Sequence, residues 1–174
     1  MLASQKSVET KSKLTRVARF FFQLIVATLI AFTVASALHT QAILSDLVAI
    51  GAEIPSSLLV QTMFVDFVGL LPSYGSIVFV GMIIAMTTTL LLIKKLIKPQ
   101  MAELKVRHNT FFSAEVMLYA LAGGVAMFTI LAAMQPIMHI TIIAGARGTS
   151  GLLMQTFAGV VGGAIFGLLR ARRA

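Results

Sequence analysis

Between His139 and Leu169 the chain is almost uncharged, with a single arginine, Arg147. Gly148, Thr149, Ser150 and Gly151 follow it, and then a long apolar run. A hydroxyl residue just ahead of an apolar run is an N-cap pattern, which makes Thr149 or Ser150 the expected cap. Neither has Glu or Gln three residues later, so the reciprocal capping box is missing. A helix start presents unpaired N–H groups and a partial positive charge. A guanidinium beside it adds planar, charge-assisted donors. The chemistry that Arg147, Thr149 and Ser150 offer is therefore anion binding, for a lipid phosphate or a carboxylate solute. The competing chemistry is structural, an ion pair from Arg147 to Asp46, Glu53 or Asp66.

Gln155 is the next candidate. An amide in the middle of an apolar helix needs a partner, and two uses are open to it. It can bind neighbouring helices together, or it can line a polar path with Thr87, Thr88 and Thr89. Threonine can also bond its own helix backbone and needs no further role.

Redox and metal chemistry have thinner support. His39 and His139 both fall at the ends of apolar runs and can be drawn as ligands of a b-type haem, with Met134 or Met138 as substitutes. They lie shallow for such a site, so no cofactor is expected and haem is kept as an alternative. His39, Asp46 and Glu53 are spaced by seven, which on one helix separates successive residues by about 10 Å at ~1.5 Å per residue. Ligands must meet within about 2–2.5 Å of an ion, so a metal site is not expected. The absence of cysteine removes thiolate sites and disulfides. No paired carboxylates, HExxH or phosphate-binding loop is present, and an enzyme is not expected.

The elements that must position these residues are four apolar runs, at about 17–38, 74–93, 111–134 and 151–169. Each is near the 20 residues that a ~30 Å hydrocarbon layer requires. Pro72, Pro99 and Pro136 punctuate their ends. The 174 residues are 58% hydrophobic and 11% charged, with mean hydropathy +0.96, against roughly 45–50% and 25% for a soluble domain. One domain is expected, an all-α integral membrane protein built as a four-transmembrane-helix bundle.

Charge placement sets the expected topology. Of the 14 basic residues, all but Arg147 lie before or in the first turn of the first run, in the 94–110 loop or after the fourth run. Basic residues in short loops stay cytoplasmic, which puts both termini inside. The same partition accounts for the +8 net charge without nucleic acid, because a basic rim faces anionic lipid headgroups. The pattern suits a bacterial inner membrane. Glu115 lies near the inner end of the third run, within reach of Lys105 or Arg107. Ala35, Ser36 and Ala37 resemble a signal-peptidase site, and cleavage there would leave three spans. The apolar run before them is long for a signal peptide, so it is taken as a span.

Residues 39–73 are expected to form an outer loop of two amphipathic segments broken at Pro55, interfacial or re-entrant. Gln61, Thr62, Asp66, Gly69 and Ser73 would be the polar face.

Small residues let helices approach closely in lipid. Gly151, Gly159, Gly163 and Gly167 share a four-residue register in the fourth run, a glycine-zipper pattern in which Gln155 occupies the missing step, with Gly162 beside it. Ala27, Ala31 and Ala35 answer in the first run, Ala120 and Gly124 in the third. Such a seam builds a homo-oligomer or packs the fourth helix on its own neighbours. The function expected first is an accessory, assembly or scaffold subunit packing through the fourth helix. A small transporter or channel subunit with an anion or lipid-headgroup site at Arg147 comes second, and a haem electron carrier third.

Overall fold

The computed structural model of the chain describes residues 2–51, 53, 55–97, 99–100, 108–138 and 148–171, and among these it is entirely helical. Helix α1 (Leu2–Ala49) runs for 48 residues. It contains neither glycine nor proline, so nothing in it breaks the hydrogen-bond ladder. It stops where Gly51 takes a positive φ of 91°, the conformation that glycine supplies at helix C-termini. The Gly51 N–H donates to the Val48 carbonyl at 2.9 Å and closes the last turn.

Pro55 is extended and starts α2 (Ser56–Leu70). One π-helical turn, Leu71–Gly75, joins α2 to α3 (Ser76–Leu92), and a second π turn, Ile93–Ile97, follows. Pro72 sits at the start of the first π turn. Proline lacks an N–H and its ring crowds the carbonyl one α-turn back; widening the turn relieves both conflicts without ending the helix. The Ser76 hydroxyl donates to the Pro72 carbonyl at 2.8 Å across this turn. Helices α4 (His108–Met138) and α5 (Thr149–Ala171) complete the chain.

Four stretches are long and apolar enough to cross a membrane, Lys13–Ala49, Leu59–Ile97, Ala114–Met134 and Thr149–Ala171. The protein is a four-span helical membrane protein, as expected. Helix α5 packs on α4 and α1, and α3 packs on α4 and α1, which closes a four-helix ring.

The connection between the first two spans differs in form from the expected loop. The chain does turn just before Pro55, but residues 39–49 and 56–70 continue the spans as helix. Hydropathy falls at His39, Thr40 and Gln41, but no glycine or proline follows until Gly51, so the apolar run ends before the helix does. The polar face of α2 is also divided. Gln61, Gly69 and Ser73 are exposed, whereas Thr62 and Asp66 are half-buried. Val60, Phe64, Val65 and Val68 point outward instead.

Candidate functional site

The bundle centre holds a polar clamp. Gln155 on α5 is 1% exposed. Its Oε1 accepts from the Tyr74 hydroxyl at 3.1 Å, and its Nε2 donates to the Ala35 carbonyl at 2.9 Å. One amide therefore joins α5, α1 and the π turn that precedes α3. Tyr74 is fully buried and its ring lies 6.1 Å from that of Phe32 on α1. The Ala35 carbonyl lies within a helix, but a carbonyl oxygen has a second lone pair to give.

A second polar seam joins α1 to α2. Fully buried Thr40 donates its hydroxyl to Asp66 Oδ2 at 2.8 Å, with its own Ser36 carbonyl 3.1 Å away. The hydroxyl has one proton, and the nearer, charged oxygen takes it. His39 is buried close enough to feel the Asp66 charge. The sequence marked Asp66 as part of an outward polar face; on the folded chain its carboxylate is bonded to α1.

The glycines of α5 are used on two sides. A Cβ on Gly163 would run into the Tyr119 carbonyl oxygen of α4, one on Gly159 into the Gly123 carbonyl oxygen, and one on Gly167 would lie 2.9 Å from the Val116 Cα. Gly162 faces α1 instead, where an added Cβ would be 2.6 Å from the Ala31 Cβ and 3.1 Å from the Ala27 carbonyl oxygen. Ala27, Ala31 and Ala35 are fully buried, and Gly151 is buried at the start of α5. Gly123 was not singled out in the sequence, although it lies four residues from both Tyr119 and Met127 on the face that meets α5. Gly124, which was, meets Val160.

At the opposite end of α5, Arg170 Nε lies 3.6 Å from the Glu115 carboxylate. Glu115 thus has a partner on α5; Lys105 and Arg107, its expected partners, lie outside the described residues. The Gln23 side chain donates to the Leu169 carbonyl at 2.9 Å beside this pair.

Arg147 and His139 also lie outside the described residues, and with them the anion cradle, the ion pair from Arg147 and the histidine pair. Thr149 and Ser150 are exposed in the first turn of α5. The Leu152 N–H bonds the Gly148 carbonyl at 3.0 Å, which puts Gly148 rather than a hydroxyl residue at the capping position. Among the described residues, no three His, Asp or Glu side chains converge on a point that could hold a metal ion. Thr87 and Thr88 are exposed and Thr89 is buried.

No protein-family model matches the chain, and no curated protein or solved structure is significantly similar to it.

Proposed function

We propose that this protein is a non-catalytic scaffold or assembly subunit of a bacterial inner membrane, and that it meets its partner through the hairpin of α1 and α2. One observation carries the proposal: this hairpin is longer than a bilayer and apolar on its outside. The α5 span, of 23 residues, measures about 35 Å at 1.5 Å per residue, close to the ~30 Å hydrocarbon thickness. The Lys13–Ala49 and Leu59–Ile97 stretches, of 37 and 39 residues, measure about 55–58 Å by the same rise. Even at a tilt of about 40°, the upper end of the usual range, each still covers more than 40 Å along the normal. Gln155 lies level with Ala35, so the start of α5 comes level with about Gln41, and α1 continues beyond it.

That outer part of the hairpin exposes Val48, Ile50, Val60, Phe64 and Val65, with Ile50 at 81% and Phe64 at 70%. Within lipid such a surface needs no cover. Beyond the hydrocarbon, a contiguous apolar patch marks an interaction site. The glycine register of α5, expected as a route to partners, touches α4 and α1 of the same chain, which leaves the outward apolar side chains of the hairpin for a partner.

The test is photo-crosslinking from Val60 or Phe64 in cells, against Ile84, which is 62% exposed on the span proper. A discrete protein adduct at positions 60 and 64 and not at 84 is expected. An adduct of twice the chain mass would make the partner a second copy. Lipid adducts alone, equal at all three positions, would overturn the proposal.

A further inference from the structure

We infer that a cleft at the basic end of the bundle binds the phosphate of an anionic phospholipid. The inference is independent of the scaffold proposal, because it concerns the other end of the molecule.

The cleft has a volume of about 470 Å³, within the usual range for small-ligand sites. Cations from three parts of the fold line it, Arg16 and Arg19 on α1, Lys94 in the π turn after α3, and Arg170 at the end of α5. Glu115 of α4 is the one acid in the lining among the described residues. Its carboxylate is buried against Arg170 Nε at 3.6 Å. At this distance the contact is an ion pair rather than a hydrogen bond, and the guanidinium can still offer planar donors to phosphate oxygens.

A second feature suits an anion. Gln23 also lines the cleft, and its amide caps the Leu169 carbonyl at 2.9 Å. The end of a helix carries partial negative charge on its free carbonyls, which would repel phosphate. Here one of these acceptors is occupied by a neutral donor, and the basic side chains dominate what remains.

The apolar lining distinguishes lipid phosphate from a soluble one. Val17, Phe20, Phe21 and Leu90 line the same cleft. Phe20 is held edge-on against Phe166 of α5 at 5.5 Å and against Phe21 at 5.8 Å. A free phosphate has no use for such a wall; an acyl chain does. Depth agrees, since Arg170 stands one residue from the end of its span, where headgroups lie.

The experiment is native mass spectrometry of the full-length protein titrated with phosphatidylglycerol or phosphatidylcholine of matched chains. One phosphatidylglycerol per chain should be retained in preference to phosphatidylcholine. The R19Q/K94Q double variant should weaken that binding by about tenfold, the size of one lost hydrogen bond to a charged group. The K13Q/K95Q variant, which removes the same charge at the same end but outside the cleft lining, should weaken it by less than about twofold, as expected of exposed charges. Equal loss in the two variants would reduce the effect to general surface charge and overturn the site. Equal retention of the two lipids would overturn it without any variant, so misfolding cannot shield it. Displacement of phosphatidylglycerol from the wild-type chain by millimolar inorganic phosphate would assign the cleft to a soluble anion instead.

Discussion

Gln155 and Tyr119 put a buried polar group to opposite uses. The Gln155 amide bonds two other segments, while the Tyr119 hydroxyl is buried with no hydrogen-bond partner among the described residues. Removing a bonded group leaves its partners unsatisfied, whereas removing an unbonded one relieves a desolvation cost. Gln155→Leu should therefore lower stability by about 1–2 kcal/mol and Tyr74→Phe by about 0.6, the scale of hydrogen bonds between membrane helices. Tyr119→Phe should be neutral or stabilising by up to about 1 kcal/mol. Thermal unfolding in mild detergent reads all three. A Gln155→Leu protein as stable as wild type, or a Tyr119→Phe protein less stable than Tyr74→Phe, would contradict the assignment. The need of Gln155 for a partner was legible in the sequence, because an amide in an apolar helix has few alternatives. Its partners were not, since Tyr74 and Ala35 lie 81 and 120 residues away, Tyr74 carries no distinguishing pattern, and the Ala27, Ala31 and Ala35 register marks close packing rather than an acceptor.

Among the elements, α5 illustrates how a helix is positioned where the hydrophobic effect gives no help. Its glycines bring backbone against backbone on α4, and dispersion between closely packed atoms replaces side-chain burial. Two glycines in comparable helical settings separate this packing role from intrinsic propensity. At Gly69 an added Cβ meets nothing within 4 Å, while at Gly163 it would meet the Tyr119 carbonyl. Gly69→Ala should gain up to about 1 kcal/mol from helix propensity. Gly163→Ala should lose about 1–3 kcal/mol, because overpacking against backbone cannot be relieved by a rotamer change. Unfolding of the two variants side by side in detergent decides it; the same sign for both would mean that the α4–α5 contact is loose. The four-residue register of Gly159, Gly163 and Gly167 was visible in the sequence, and the facing helix was not. A glycine register states that something comes close without naming what. The apolar runs stop short of the helices for a different reason: hydropathy reports where the apolar run ends, and α1 continues as helix through the polar residues His39 to Gln41. The Thr40–Asp66 bond then turns to the inside of the hairpin what the sequence offered as an outer face.

At the scale of the molecule, the long helices of the hairpin lie beside the shorter α5, with opposite chemistry at the two ends. The cleft end is cationic; the hairpin end carries Asp46 and Asp66 among exposed apolar side chains. By the basic-inside rule, the expected orientation of such a molecule has the cleft in the cytoplasm and the hairpin outside. The four spans and this charge partition were legible from composition alone, because both follow from counting residues against a fixed bilayer thickness. The protrusion was not, since it depends on where α5 begins relative to α1. The absence of native cysteine allows a direct measurement. Ile50→Cys and Lys95→Cys should react with a membrane-impermeant maleimide from opposite sides, Ile50→Cys in intact spheroplasts and Lys95→Cys only after lysis. In nanodiscs that contain the protein alone, Val60→Cys should label nearly as fast as Ile50→Cys, and Ile84→Cys, on the lipid face of the bundle, should stay inert. A Val60→Cys site as unreactive as Ile84→Cys would put the outer part of α2 inside the hydrocarbon. The long helices would then be accommodated by strong tilt, and the exposed valines and Phe64 would have lipid as sufficient cover, with no partner needed. Reactive Val60→Cys in isolation, lost when the protein is labelled in its native membrane, would instead mean that something occupies the hairpin there.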